Sequence, residues 1–150
     1  MAMNAPEKLP DPENVVIKGV RDEPNAQDGR RVLVDRLWPR GVSKERAALD
    51  EWAKDATPST ALRRAFHAGD LSWEEFAAAY RAELDGDPEA AGAVGRLRAE
   101  ALAGRVTLLV AAKDRIHCHG RVLRAAILGS PEDVRQPRSE ERRVGKECRS

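Results

Sequence analysis

An excess of one charge, a long apolar run and a set of paired cysteines are all missing from this chain of 150 residues. Each absence closes off a class of function. Its 26 basic and 25 acidic residues leave a net charge of +1, so charge alone gives no argument for a nucleic-acid or membrane partner. No stretch approaches the roughly eighteen consecutive apolar residues of a membrane-spanning helix. The opening MAMNAPEKLPDPEN has no apolar centre of the kind a signal peptide needs, and a cytoplasmic location is expected. Two cysteines, Cys118 and Cys148, do not make a disulfide framework. No Walker loop, no Gly-x-Ser-x-Gly and no Gly-x-Gly-x-x-Gly after a strand is present, so neither a nucleotide cofactor nor a serine-hydrolase elbow is expected.

What is present suits one domain with its own core, over about residues 14–130. Residues 1–13, with three prolines, read as a disordered lead-in, and 131–150 as a disordered tail. Within that tail RSEERRVGKECRS, Arg138 to Ser150, has no hydrophobic period. It resembles the direct translation of a common short-read sequencing adapter, which would place the natural C-terminus near Pro137 or beyond the given sequence. Its five basic and three acidic residues carry a net two positive charges, so without it the total falls from +1 to −1.

Three segments read as strands: VVIKGV at about 15–20, RVLVDR at about 31–36 and VTLLVAA at about 106–112. The uninterrupted Val-Leu-Val and Val-Thr-Leu-Leu-Val runs predict strands covered on both faces. About five helices are expected around them. Ser43 can cap KERAALDEWAKDA, where Leu49, Trp52 and Ala53 share a face. Pro58-Ser59 opens a second helix, with Leu62, Ala65 and Phe66 inward and Arg63-Arg64 outward. Ser72 and Glu75 form a capping box before SWEEFAAAYRAEL. Asp87-Pro88 opens a fourth that ends at Gly104, weakened by Gly92 and Gly95. Asp114 suits the N-cap of a last helix ending at Gly129. The sum is an α/β fold: a small, mostly parallel three-stranded sheet covered by helices.

In such sheets ligands gather at the carboxyl ends of the strands. There VLVDRLWPRG delivers Asp35, Arg36, Trp38 and Arg40, with Lys44 just beyond. The other long strand delivers Lys113 and Asp114, followed by His117, Cys118 and His119. A strand tip carrying two arginines and a carboxylate beside a helix start suits an anion. Arg36, Arg40 and Lys113 are the expected clamp, with Trp38, Lys44, Asp114 and His117 around it. Asp35 or His119 would serve in proton transfer, and Cys118 is a conceivable nucleophile. Structural readings stand beside these. Asp35 and Arg36 can form an ion network with each other or Lys113, Trp38 and Trp52 can be packing, Cys118 can be buried and inert, and Arg63, Arg64, Arg121 and Arg124 can lie on solvated faces. A metal site is not expected. His117 and His119 point apart on a helix, and no Cys-x-x-Cys or His-Glu-x-x-His accompanies them.

These residues carry a resemblance. GRRVLVDRLWPRGVSKERAALDEWAKDATPSTALRRAFH, WEEFAAAYRAEL and GRVTLLVAAKDRIHCHGRVLRAAIL are similar to the YeaO-like family, domain of unknown function 488, over roughly residues 15–128. The resemblance implies a small bacterial cytoplasmic α/β protein, with no established activity attached to the family. Its hallmark positions map onto Asp35, Arg36, Trp38, Pro39, Arg40, Gly41, Lys44, Trp52, Pro58, Ser59, Leu62, Arg63, His67, Tyr80, Lys113, Asp114, His117 and His119. Two positions depart. Gly19-Val20-Arg21 stands where members carry Arg-x-Tyr, and Cys118 where many carry asparagine. Two functions follow as expectations. One is a small enzyme or binder acting on an anionic small molecule. The other is a non-catalytic module that contacts a protein or nucleic-acid phosphate through its arginine rim. No basic recognition helix supports nucleic acid, and the sequence does not fix an oligomeric state.

Overall fold

The computed structural model describes residues 9–111 and 118–129. Its centre is a parallel sheet of four strands in the order β1-β4-β2-β3. The strands are β1 (Val15–Gly19), β2 (Arg30–Leu33), β3 (Glu51–Trp52) and β4 (Val106–Val110). Around them lie α1 (Lys44–Ala47), α2 (Thr60–His67), α3 (Trp73–Gly86), α4 (Pro88–Ala103) and α5 (His119–Leu128). The α/β class and the parallel sheet agree with expectation, and one strand is added. Pro12–Asn14, which straddles the end of the expected lead-in at residue 13, forms a 3-10 turn.

β4 is central and buried along its whole length. Alternate side chains go to opposite faces of the sheet. Val32, Val34, Leu108 and Val110 join the larger core, which includes Phe76, Tyr80, Leu97 and Leu123 from α3, α4 and α5. Leu33 and Leu109 face the other way, against Val20, Val42, Ala47, Trp38 and Trp52. The unbroken apolar runs are thus the pattern of strands sandwiched between two layers.

The added strand corrects the long helix expected after Ser43. Ser43 does cap, its Oγ accepting from Arg46 N–H at 3.0 Å. The helix stops after four residues, where Ala48 takes a left-handed conformation at φ 50°. Asp50 then brackets Arg31, its N–H donating to Arg31 C=O and its carboxylate accepting Arg31 N–H, both at 2.8 Å. Glu51 and Trp52 pair in register with Val32 and Leu33. A short helical pattern loses here because the edge of β2 offers backbone partners that a four-residue helix cannot. Arg31, buried, ties the device together: its guanidinium donates to the Ala47 and Ala48 carbonyls at the end of α1 and to Asp28 at 2.5 Å.

Other local readings hold. Ser59 caps α2, Ser72 and Glu75 form the capping box of α3, and Pro88 begins α4 with Asp87 before it. α4 runs unbroken through Gly92 and Gly95, both exposed, so neither marks a break or a close contact. Cys118 occupies the N-cap position of α5 without a side-chain capping hydrogen bond, and Asp114, the expected cap, lies outside the described residues. Arg124 is no solvated side chain, since it donates to the carbonyls of Val15 at 2.7 Å and Pro12 at 2.8 Å. No described helix is long and apolar enough to cross a membrane.

Candidate functional site

The carboxyl ends of β2 and β4 meet the start of α5, and Asp35 joins all three. One carboxylate oxygen accepts the N–H of Ala111, just past β4, at 2.8 Å. The other lies 3.2 Å from His119 Nε2. The same Nε2 is 2.7 Å from the Val34 carbonyl. A carbonyl only accepts, so Nε2 carries the proton. The Asp35 carbonyl takes the Trp52 indole N–H at 2.7 Å. Asp35 and Arg36 do not pair. Arg36 is exposed and leans on Thr57 Oγ1 and the Pro58 carbonyl at 3.3 and 3.4 Å.

Beside this junction is a cavity of about 400 Å³. Asp35, Arg36, Trp38, Cys118 and His119 line it, five of the residues expected from the sequence. Arg40 and Lys44 do not. Arg40 is exposed and gives its carbonyl to Arg21, while Lys44 lines a smaller hollow with Trp38, Leu49 and Trp52. Lys113, Asp114 and His117 lie outside the described residues. Trp38 meets Trp52 edge to face at 5.3 Å, and Lys54 Nζ sits 4.1 Å over the Trp52 ring, so both indoles do pack. Cys118 is 3% exposed. Among the described residues no group of three or more His, Cys, Asp or Glu could hold a metal ion.

The residue-by-residue reading placed none of the α2 and α3 wall at the site, although the family resemblance had marked Arg63 and His67 as hallmark positions. Arg63 and His67, one turn apart on α2, line the cavity together with Phe66 and with Phe76 of α3. Arg63 was expected to face solvent, yet its Nε is buried with no hydrogen-bond partner among the described residues. The Phe66 and Phe76 rings stack at 4.5 Å and 23°. The available signal was helical spacing: Arg63, Phe66 and His67 fall at i, i+3 and i+4, on one face of α2. Tyr80 lies behind, fully buried, donating to the Ala56 carbonyl. Burial holds its phenol well above the usual range, reinforced by the nearby Glu83, Cys118 and Asp35.

Charge separates this cavity from a larger one of about 750 Å³ that shares Arg36 and Leu37. The larger hollow sets Arg36 and Lys54 against Asp55, Glu83, Asp87 and Glu89. Among the described residues, the smaller sets Arg36 and Arg63 against Asp35 alone. An anion is repelled by the first and attracted by the second.

Comparison with known proteins identifies the family. The protein named Uncharacterized protein YeaO, from Escherichia coli (strain K12), is 46% identical over 110 residues, covering 73% of this chain and 93% of that protein. Uncharacterized protein Rv3073c, from Mycobacterium tuberculosis (strain ATCC 25618 / H37Rv), is 35% identical over 117 residues, covering 77% and 94%. No solved structure matches. The family profile described as "Inactive DUF488-N3 subclade" matches residues 14–143. The chain therefore belongs to the YeaO-like DUF488 family, in the subclade of that description.

Proposed function

We propose that this protein is a small-molecule binder that holds an anion in the 400 Å³ cavity and performs no chemistry on it. The observation that carries the reading is Arg63: a buried guanidinium nitrogen without a hydrogen-bond partner among the described residues, on the wall of a pocket with a positive balance. An unpaired buried donor costs about 1–3 kcal/mol, which an anionic acceptor would recover. The binder reading is favoured over the enzyme reading because the contacts of Asp35 and His119 Nε2 hold strand tips and helix together. The description of the subclade as inactive points the same way.

The test is calorimetric titration of the full chain with phosphate, acetate and benzoate at low ionic strength, repeated with Arg36→Ala and Arg63→Ala. At least one anion is expected to bind, with at least a tenfold loss in each variant. Binding of none, or binding indifferent to both substitutions, overturns the proposal. The rival use of the rim, against a nucleic-acid backbone, predicts single-stranded DNA binding that weakens steeply and log-linearly with salt.

A further inference from the structure

We infer that the anion is an aromatic monocarboxylate, and that Arg63 is the residue that selects it. The inference rests on the anion-binding reading and names its ligand. Three observations on the same cavity support it.

The first is charge stoichiometry. Among the described residues, two arginines face one carboxylate that is locked in place, a balance that suits a single negative charge. A second charge on the ligand would approach Asp35, so diphosphates and dicarboxylates are disfavoured. The second is surface. Trp38 and Pro39 come from the loop after β2, Pro58 from the start of α2, and Phe66 and Phe76 from α2 and α3. Trp38, Phe66 and Phe76 present flat aromatic rings and the two prolines add apolar surface, a wall that suits a planar ring more than a tetrahedral or branched group. The third is size. At about 400 Å³ the cavity is at the small end of ligand sites, room for one or two fused rings with an acid group.

Arg63 links charge to shape. It precedes Phe66 by three residues, so the guanidinium and the ring project from the same face of α2. Its buried Nε lacks a partner among the described residues, and a carboxylate can be held by Nε together with a terminal nitrogen in the two-pronged arrangement that lysine cannot reproduce. Arg36, exposed and only weakly tied to Thr57 and Pro58, lines the same cavity as a second, less selective cation.

The experiment measures affinity of the full chain for 2-naphthoate, benzoate, cyclohexanecarboxylate, acetate and pyrophosphate by calorimetry, with quenching of tryptophan fluorescence as a second readout because Trp38 is in the wall. The aromatic acids are expected to bind at least tenfold tighter than acetate and pyrophosphate, and at least threefold tighter than cyclohexanecarboxylate, which has the same charge and a puckered ring. Arg63→Lys should lower naphthoate affinity at least tenfold with an unchanged melting temperature. Phe66→Leu should erase the preference for the planar ring but keep the preference for a carboxylate. Equal or tighter binding of cyclohexanecarboxylate or pyrophosphate overturns the aromatic inference while leaving anion binding intact. Arg63→Lys binding naphthoate as wild type does overturns the role of Arg63. Absence of binding by every anion overturns both.

Discussion

Asp35 and His119, 84 positions apart in the chain, stand 3.2 Å apart at the point where β2 ends and α5 begins. With the Ala111 N–H on the second oxygen of Asp35, one side chain fixes the relative positions of β2, β4 and α5. Asp35→Ala is expected to destabilise the fold by about 1–3 kcal/mol, the cost of a buried donor left unmade. Asp35→Asn, which still offers an acceptor to Ala111, should cost less. Urea denaturation gives the stability, and hydrogen exchange at the Ala111 amide gives the local effect. Unchanged stability in the alanine variant would remove the clasp.

A second cluster governs acid sensitivity. Asp28 is buried, which alone would raise its carboxyl, yet hydrogen bonds from Lys18, the Asn25 N–H and Arg31 outweigh burial and hold it below its usual 3.8. A depressed folded value contributes stability that is present above pH 3.8 and lost as pH falls through the folded value. Asp28→Asn leaves Arg31, 4% exposed, without its charge partner and should cost roughly 3–5 kcal/mol at pH 7. The gap to wild type should narrow below pH 3.8. A gap independent of pH would contradict the ion-pair account.

Glu100 behaves in the opposite sense. Burial, then the neighbouring Glu51, raise its carboxyl above 4.5 despite Arg30 at 3.0 Å. Because the folded state holds this proton more tightly, stability contributed by the group is present below pH 4.5 and declines as pH rises through the raised value. Glu100→Gln should therefore be more stable than wild type at pH 8 and show a flatter profile upward from pH 4.5. Urea midpoints at pH 4 and pH 8 check the sign. A variant less stable at pH 8 would show that the pair with Arg30 dominates.

Gly29 sits at φ +67°, and a Cβ there would fall 2.2 Å from the Arg105 carbonyl oxygen. That carbonyl is also the acceptor for Arg30 N–H at the start of β2. Gly29→Ala should cost at least about 1–3 kcal/mol from the backbone conformation alone, with the clash in addition. A thermal melt suffices, and a shift within error would contradict the packing of this turn against β4.

Cys118 stands at the N-cap position of α5 and is 3% exposed. Thiol reactivity requires access as well as thiolate character. Iodoacetamide should alkylate Cys118 at least tenfold more slowly in the native protein than in urea, as read by peptide mass spectrometry. Equal rates would place the sulfur on an open surface and revive its use as a nucleophile.

Much of this protein is written locally. The doubly covered strands follow from Val32-Leu33-Val34 and Val106 to Val110, whose apolar runs exclude a solvent-facing side. Ser43, Ser59, Ser72 and Pro88 mark helix starts because capping depends on a few neighbouring residues. The strand-tip cluster of Asp35, Arg36 and Trp38 follows from where such strands end. Tertiary structure decided the rest. Leu49, Trp52 and Ala53 have helical spacing, yet Glu51 and Trp52 became a strand because the open edge of β2 and the Asp50–Arg31 hydrogen bonds outbid a short helix. Arg63 and Arg124 look like solvated helix positions in the sequence. Their surroundings are set by residues far away in the chain, Phe76 and His119 for one and Val15 for the other. A helix pattern tells which residues share a face, but what that face meets depends on packing between elements, and there the cavity was made.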